Sequence, residues 1–336
     1  MLCLPSSVLA DGIEAVWPAP VADRWMYPFN STPGTRATMS VFGSDRENPT
    51  LFDARDGQIL LAFDTGDQVA SGAAVDGLSV TQAEVTLQVQ NDLVFRHDPT
   101  PDRWTDFLPS SDARRTVDDD AGQPVELAAV GFRNGWSAAT FQEATVFTSG
   151  AGSVMSPSAR NAFAAQVDAL GATTDISNNP RAGFQAGVFA VGRVDGLAAG
   201  ALVPAGSVMR FAIDVSSPGV QAYLRQGLRA GRIWFSVTSL TLVQQQAGDF
   251  PVFYARENAL VQFGLAQAAS LRLKVEASPA CAAADLDCSG TVDAADIGSL
   301  LILFGSCPSG PGCAGDLDGS GEVDAADIGE LLIKFG

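Results

Sequence analysis

Histidine is almost missing from this 336-residue chain: His97 is the only one, and 20 Lys and Arg stand against 38 Asp and Glu. One histidine cannot build a His-rich metal site, and it confines any Ser-His-Asp arrangement to its own loop. His97 lies in the polar stretch FRHDPTPDRW and is read as solvated. A formal net charge of −18 repels phosphate backbones, which excludes nucleic acid as a partner. No run of 18 apolar residues occurs, so no membrane span is expected. Neither G-x-S-x-G nor a P-loop is present. Catalysis has only carboxylates to draw on. Glu126, Glu143, Asp214 and Glu257 are candidates for a glycosidase pair, and nothing in the sequence selects two of them.

Apolar residues make up 46% of the chain, with 34 Gly and 18 Pro, a profile of a β-rich globular protein of about two domains. Alternating apolar positions mark strands at 58–66 (QILLAFDTG) and 80–95, where Ala83, Val85, Leu87 and Val89 share a face. Further strands are expected at 187–196, at 207–216 with Met209, Phe211 and Ile213 on one face, at 232–244 and at 269–276. SPGVQAYLRQGLRAG (217–231) opens on Ser-Pro and closes on Gly, as a capped helix does. Residues 156–172 are read as a helix, 125–147 as either strands or a short helix, and 96–124 as a long polar loop. The expected fold is mainly β: a jelly-roll β-sandwich with long insertions over 11–276. Within the loop, VDDDAG (117–122) is read as a solvated turn in preference to a further calcium site.

The last 56 residues differ in kind. Ten acidic residues and one lysine in 281–336 carry half of the net charge, and four of the five cysteines lie there (Cys281, Cys288, Cys307, Cys313). Their pairing is open among three possibilities. The opening MLCLPSSVLADG reads as the end of a secretory signal at 1–10. Its removal would take Cys3 and leave an even number, as in an exported protein with two disulfides. A secreted or cell-surface location follows as the expectation.

After a linker at 277–284, the stretch 285–336 contains two copies of one pattern, DLDCSGTVDAAD and DLDGSGEVDAAD. Oxygen-bearing residues fall at the same offsets: Asp285, Asp287, Ser289, Thr291, Asp293 and Asp296, then Asp316, Asp318, Ser320, Glu322, Asp324 and Asp327. Calcium takes about six to eight oxygens, and a chain encircles it with alternate side chains and then a sharp turn at Gly290 or Gly321. Thr291 and Glu322 would offer backbone carbonyls, and two calcium ions are expected. Each loop leads into an apolar stripe, Ile297, Leu300, Leu301 and Phe304, or Ile328, Leu331, Leu332 and Phe335. The two stripes are expected to pack on each other. No amphipathic helix precedes either loop, so these are half EF-hands in a small α-helical domain.

On these residues the tail resembles a type I dockerin. The resemblance implies docking onto a cohesin-like protein or cell-surface scaffold, with Ala294, Ala295, Ala325 and Ala326 at the positions that contribute to partner choice. Cellulosomal dockerins carry Ser or Thr there and basic residues later, where this chain has Leu301, Ile302, Leu332 and Ile333. The larger part resembles DNRLRE-type jelly-roll modules, which are related to carbohydrate-binding modules. The likeness rests on DRWMYPFNSTPGT (23–35), DGQILLAFDTGD (56–67), DVSSPGVQAYLRQG (214–227), RIWFSVTS (232–239) and VFYARENALVQFGLAQAASLRLKVE (252–276). Phe253, Arg256 and Glu257 match its F-x-S-R-E element, with Ala255 in place of Ser, and imply a buried Arg–Glu pair holding the last strand.

The expected function is a secreted, non-catalytic module for carbohydrate binding or surface adhesion, with a polysaccharide as possible partner. Trp25, Tyr27 and Trp104 are the candidate stacking residues, whereas Trp136 and Trp234 belong to the core. The alternatives are a polysaccharide lyase or glycoside hydrolase, and a structural surface protein.

Overall fold

The computed structural model describes the chain apart from residues 1–11, 48–51, 70, 76–77, 151, 244–248, 278–282, 287–290, 308–312, 314 and 336. The signal-like segment, Cys3, Cys281, Cys288, Asp287, Ser289, Gly290 and most of the linker therefore lie outside the described residues. Two compact units result, Met1–Glu276 and Ala277–Gly336.

The first unit is mainly β and its main sheets are antiparallel. A five-stranded sheet runs in the order Ile13–Trp17, Ser270–Ala277, Leu78–Gln88, Val208–Ala212, Arg193–Val194. The other follows the path Ala22–Met26, Arg55–Asp64, Arg232–Ser239, Val125–Phe132, Ala162–Val167, Thr173–Asp175, with short strands added beside it. Alternation explains the first sheet. Met209 and Phe211 are buried, while Arg210 points outward to Glu84 (3.1 Å) and Asp195 (2.8 Å).

The second sheet is apolar on both faces. Ile59, Leu61, Phe63, Phe235 and Val237 join Val85, Leu87, Phe211, Leu271 and Leu273 of the first sheet in one core. On the opposite face Leu60, Ala62, Val130 and Trp234 form a second core with Phe141, against which Trp136 packs. Burial on both faces is why 59–63 (ILLAF), within the strand Arg55–Asp64, reads as an unbroken apolar run. Two ion pairs are closed inside this unit: Arg55 with Glu126, and Arg160 with Asp53 at 2.7 Å.

The helix Pro218–Ala230 stands as its caps suggest, with Pro218 in its first turn and left-handed Gly231 (φ 75°) ending it. Val220, Leu224 and Leu228, spaced one turn apart, drop into the main core.

Several sequence expectations are corrected. Residues 156–172 form no helix. Their centre is the strand Ala162–Val167, paired with 125–132 and with 173–175. Alanine favours helix, but propensity is a small term and strand pairing in a buried sheet overrides it. Residues 187–196 give only the two-residue strands Ala190–Val191 and Arg193–Val194. Residues 125–147 resolve into one strand, Val125–Phe132, followed by turns.

Among its described residues the second unit has two helices, Ala294–Ile302 and Ala325–Ile333, and a short antiparallel pair, Gly305–Ser306 with Glu322–Val323. Its core is small: Ala284, Val292, Leu300, Val323 and Leu331. The expected packing of whole stripes is corrected, because Leu301, Phe304, Leu332 and Phe335 are all between 46% and 54% exposed. Of each stripe one leucine, Leu300 or Leu331, is fully buried, with Ile297 or Ile328 partly buried against the same core. A disulfide joins Cys307 to Cys313. Among the described residues no helix is long and apolar enough to cross a membrane.

Candidate metal centre

The repeated loops fold alike wherever both are described. Asp293 and Asp324 cap their helices, each accepting a hydrogen bond from the backbone N–H two residues on, at 2.7 Å (Ala295, Ala326). Asp296 and Asp327 answer from the third helical position, accepting from the backbone N–H groups of Asp293 and Asp324 at 2.8 Å. The second oxygen of each reaches back across the loop, to the N–H of Leu286 and of Leu317, both at 2.6 Å. Asp296 and Asp327 are fully buried. A carboxylate at that offset therefore closes the loop and starts the helix in one step.

In the second loop Asp316, Asp318 and Asp327 bring carboxylate oxygens within 4.8 Å of one another. Gly319 and Gly321 take positive φ (76° and 90°), which lets the chain turn around the enclosed space. Asp316 Oδ2 accepts the Gly321 N–H at 3.1 Å and Asp318 Oδ1 the Ser320 N–H at 2.9 Å. Three carboxylates gathered in one loop are the hard oxygen donors that calcium takes. Asp324 is not among the three; its Oδ1 serves the helix cap. Ser320 and Glu322 are exposed, and the Ser320 hydroxyl donates to the Glu322 carbonyl at 3.1 Å. In the first loop Asp285 is buried, and Thr291 is exposed. Ala294, Ala295, Ala325 and Ala326 lie exposed in the first helical turns.

The candidate stacking residues separate into two places. Trp25 stacks on Tyr27 (4.6 Å between centroids) and has the Arg36 guanidinium over its ring at 5.2 Å. Tyr27 continues edge-on to Phe29 (5.4 Å), which is 53% exposed, and Phe29 to Phe52. Trp104 begins a short 3-10 turn, Trp104–Phe107, under the Arg114 guanidinium (5.3 Å). It makes no ring contact with the other two among the described residues. Trp234 is buried and Trp136 partly so.

Of the candidate carboxylates, Glu143 and Glu257 come together, joined by Asp23. Arg256 sits among all three: its Nε is 3.3 Å from Asp23 and 2.7 Å from Glu257, and its terminal nitrogen pairs with Glu143. The expected Arg–Glu pair is thus a partly exposed arginine gathering three segments, not a closed pair under the final strand. Burial pushes the Asp23 carboxyl up to about 8, with Glu257 and Glu143 adding to the effect and the Arg256 N–H opposing it. Glu126 is tied to Arg55, and Asp214 is an exposed turn residue bonded to Ser216.

His97 is also corrected. It is 3% exposed, its Nε2 accepts the Val194 N–H at 3.1 Å, and its Nδ1 faces the Ala198 carbonyl at 3.3 Å. An imidazole satisfied on both sides pins the 194–198 turn and offers no nitrogen for chemistry. Set against known proteins, the chain matches no family model, no curated protein and no solved structure.

Proposed function

We propose that this is an exported, non-catalytic β protein, fixed to a cohesin-like partner at a cell surface by a calcium-dependent, dockerin-like C-terminal unit. The observation that carries the reading is the twice-repeated loop closure by Asp296 and Asp327, with Asp316 and Asp318 converging on the latter. Calcium in both loops would neutralise part of the strongest concentration of negative charge in the chain. The exposed apolar residues Leu301, Ile302, Leu332 and Ile333, with the four exposed alanines, occur in equivalent pairs on the two helices. Equivalent pairs would offer a partner two alternative poses related by half a turn.

The larger unit is read as a jelly-roll sandwich that binds glycan at its aromatic run. Trp25, Tyr27 and the exposed Phe29 supply the faces on which sugar rings stack. Arg36 lies over Trp25, so a sugar on that face would displace the guanidinium.

The test uses the chelator-stripped full chain. Calcium should slow amide exchange across 291–335 and permit capture by an immobilised type I cohesin, and Asp316→Ala with Asp285→Ala should abolish both. Loss of neither would overturn the attachment reading. Binding on a polysaccharide array without release of reducing ends or unsaturated products supports the second half, and product release overturns it.

A further inference from the structure

A second group of acids belongs to the first unit, in the polar loop between 96 and 124. Carboxylate oxygens of Asp98, Asp102 and Asp120 lie within 4.8 Å of one another. Asp98 is 4% exposed. Its Oδ1 accepts from the Thr100 N–H (3.0 Å) and hydroxyl (2.8 Å), but its Oδ2 is buried with no hydrogen-bond partner. Asp102 Oδ2 is buried in the same condition. The Thr100 hydroxyl also stands 2.6 Å from Asp120 Oδ2. A hydroxyl carries one proton, so it can serve only one of the two carboxylates at a time.

Buried anionic oxygens without donors are costly, and proteins offset them with a cation. None comes from this chain's described residues. Arg96 donates to the Gly200 carbonyl (2.7 Å), Arg103 faces Asp106 (3.4 Å) and Arg114 pairs with Asp112 (2.7 Å). The contrast is with Asp23, Glu143 and Glu257, where Arg256 fills the centre.

We propose that Asp98, Asp102 and Asp120 bind a calcium ion that staples the two ends of the 98–120 loop. All donors are oxygen, three carboxylates exceed the charge of one divalent ion, and waters would complete the shell. Asp102 also lines an open groove with Pro101, Arg103, Gln185 and Val188, so the ion would fix that wall. The turn bearing Trp104 starts two residues beyond Asp102 and would be held with it.

This site is independent of the C-terminal reading, and one experiment separates them. In the full chain carrying Asp285→Ala and Asp316→Ala, calcium uptake by equilibrium dialysis should remain at one ion per chain. Amide exchange over 98–120 should slow about 100-fold at calcium 100 times the Kd, because binding depopulates the opened loop in proportion. Adding Asp98→Asn and Asp120→Asn should remove both effects. The unsubstituted chain supplies a second measurement that no misfolded variant can confuse. Slowing confined to 291–335 there overturns this site and leaves the C-terminal one standing, and slowing confined to 98–120 does the reverse. Uptake that persists after Asp98→Asn and Asp120→Asn also overturns the proposal.

Discussion

Asp56 and Arg160 show how much a single buried charge decides here. Arg160 is 1% exposed; its Nε holds Asp53 at 2.7 Å, and its outer nitrogens reach the carbonyls of Met26, Arg55 and Asp56. Replacing it by methionine keeps the bulk but leaves Asp53 buried without its cation. Arg160→Met should cost about 3–5 kcal/mol of stability, read as a lower denaturant midpoint with the slope unchanged. Asp56 is only 3.9 Å from the same guanidinium, too far to be satisfied by it. Burial pushes its carboxyl up to about 7, Asp53 adds to this, and Arg160 and Arg181 oppose it. A carboxyl free in the unfolded chain titrates near about 4, so between about pH 4 and 7 the folded state keeps a proton that the unfolded state has released. Asp56 therefore stabilises fully below that window, and its contribution is lost as pH rises through about 7. Asp56→Asn should flatten the decline, measured as the difference between variant and parent denaturation midpoints from pH 4 to 8. Parallel pH profiles for the two proteins would refute it.

At the scale of elements, the helix 218–230 depends on a glycine that has no Cβ to spare. A Cβ on Gly219 would stand 2.3 Å from the Asp168 carbonyl oxygen, and backbone cannot step aside as a flexible side chain can. Gly219→Ala should destabilise by about 1–3 kcal/mol although alanine favours helix, and thermal melts would show the sign. Such close approach is invisible in SPGVQAYLRQGLRAG, whereas the caps and the Val220, Leu224 and Leu228 spacing are plain in it. The same division holds for the strands. Alternation betrays Leu78–Gln88 because one face meets solvent, and the apolar run 59–63 betrays the strand Arg55–Asp64 because neither of its faces does. Ala162–Val167 escaped because its small residues suit either period, and only its neighbours decide. The acids of the C-terminal loops could be read from spacing alone, since one short turn brings them together. Asp98 and Asp120 could not, because the backbone between them must close a long excursion before they meet.

At the scale of the whole molecule, the two units differ in how they can be stable. The first buries a core drawn from two sheets. The second, Ala277–Gly336, has five core residues, one described disulfide and a concentration of acid that opposes compaction. A domain of this size rarely gains more than about 3–5 kcal/mol from its core alone. Leu331, fully buried and placed as Leu300 is in the other repeat, contributes a large share of that. Leu331→Ala should cost about 2–5 kcal/mol, enough to unfold this unit when calcium is scarce. If calcium binds the folded loops as proposed, raising it should restore the structure: a loss of about 2.7 kcal/mol is offset when one ion is supplied at about 100 times its Kd. Amide exchange over 291–335 in the full chain, followed across a calcium series, should show the ordering midpoint of Leu331→Ala displaced to higher calcium while the strand 55–64 stays protected throughout. A variant that orders at the parent's midpoint would mean that the loops, not the apolar contact between repeats, hold this unit together.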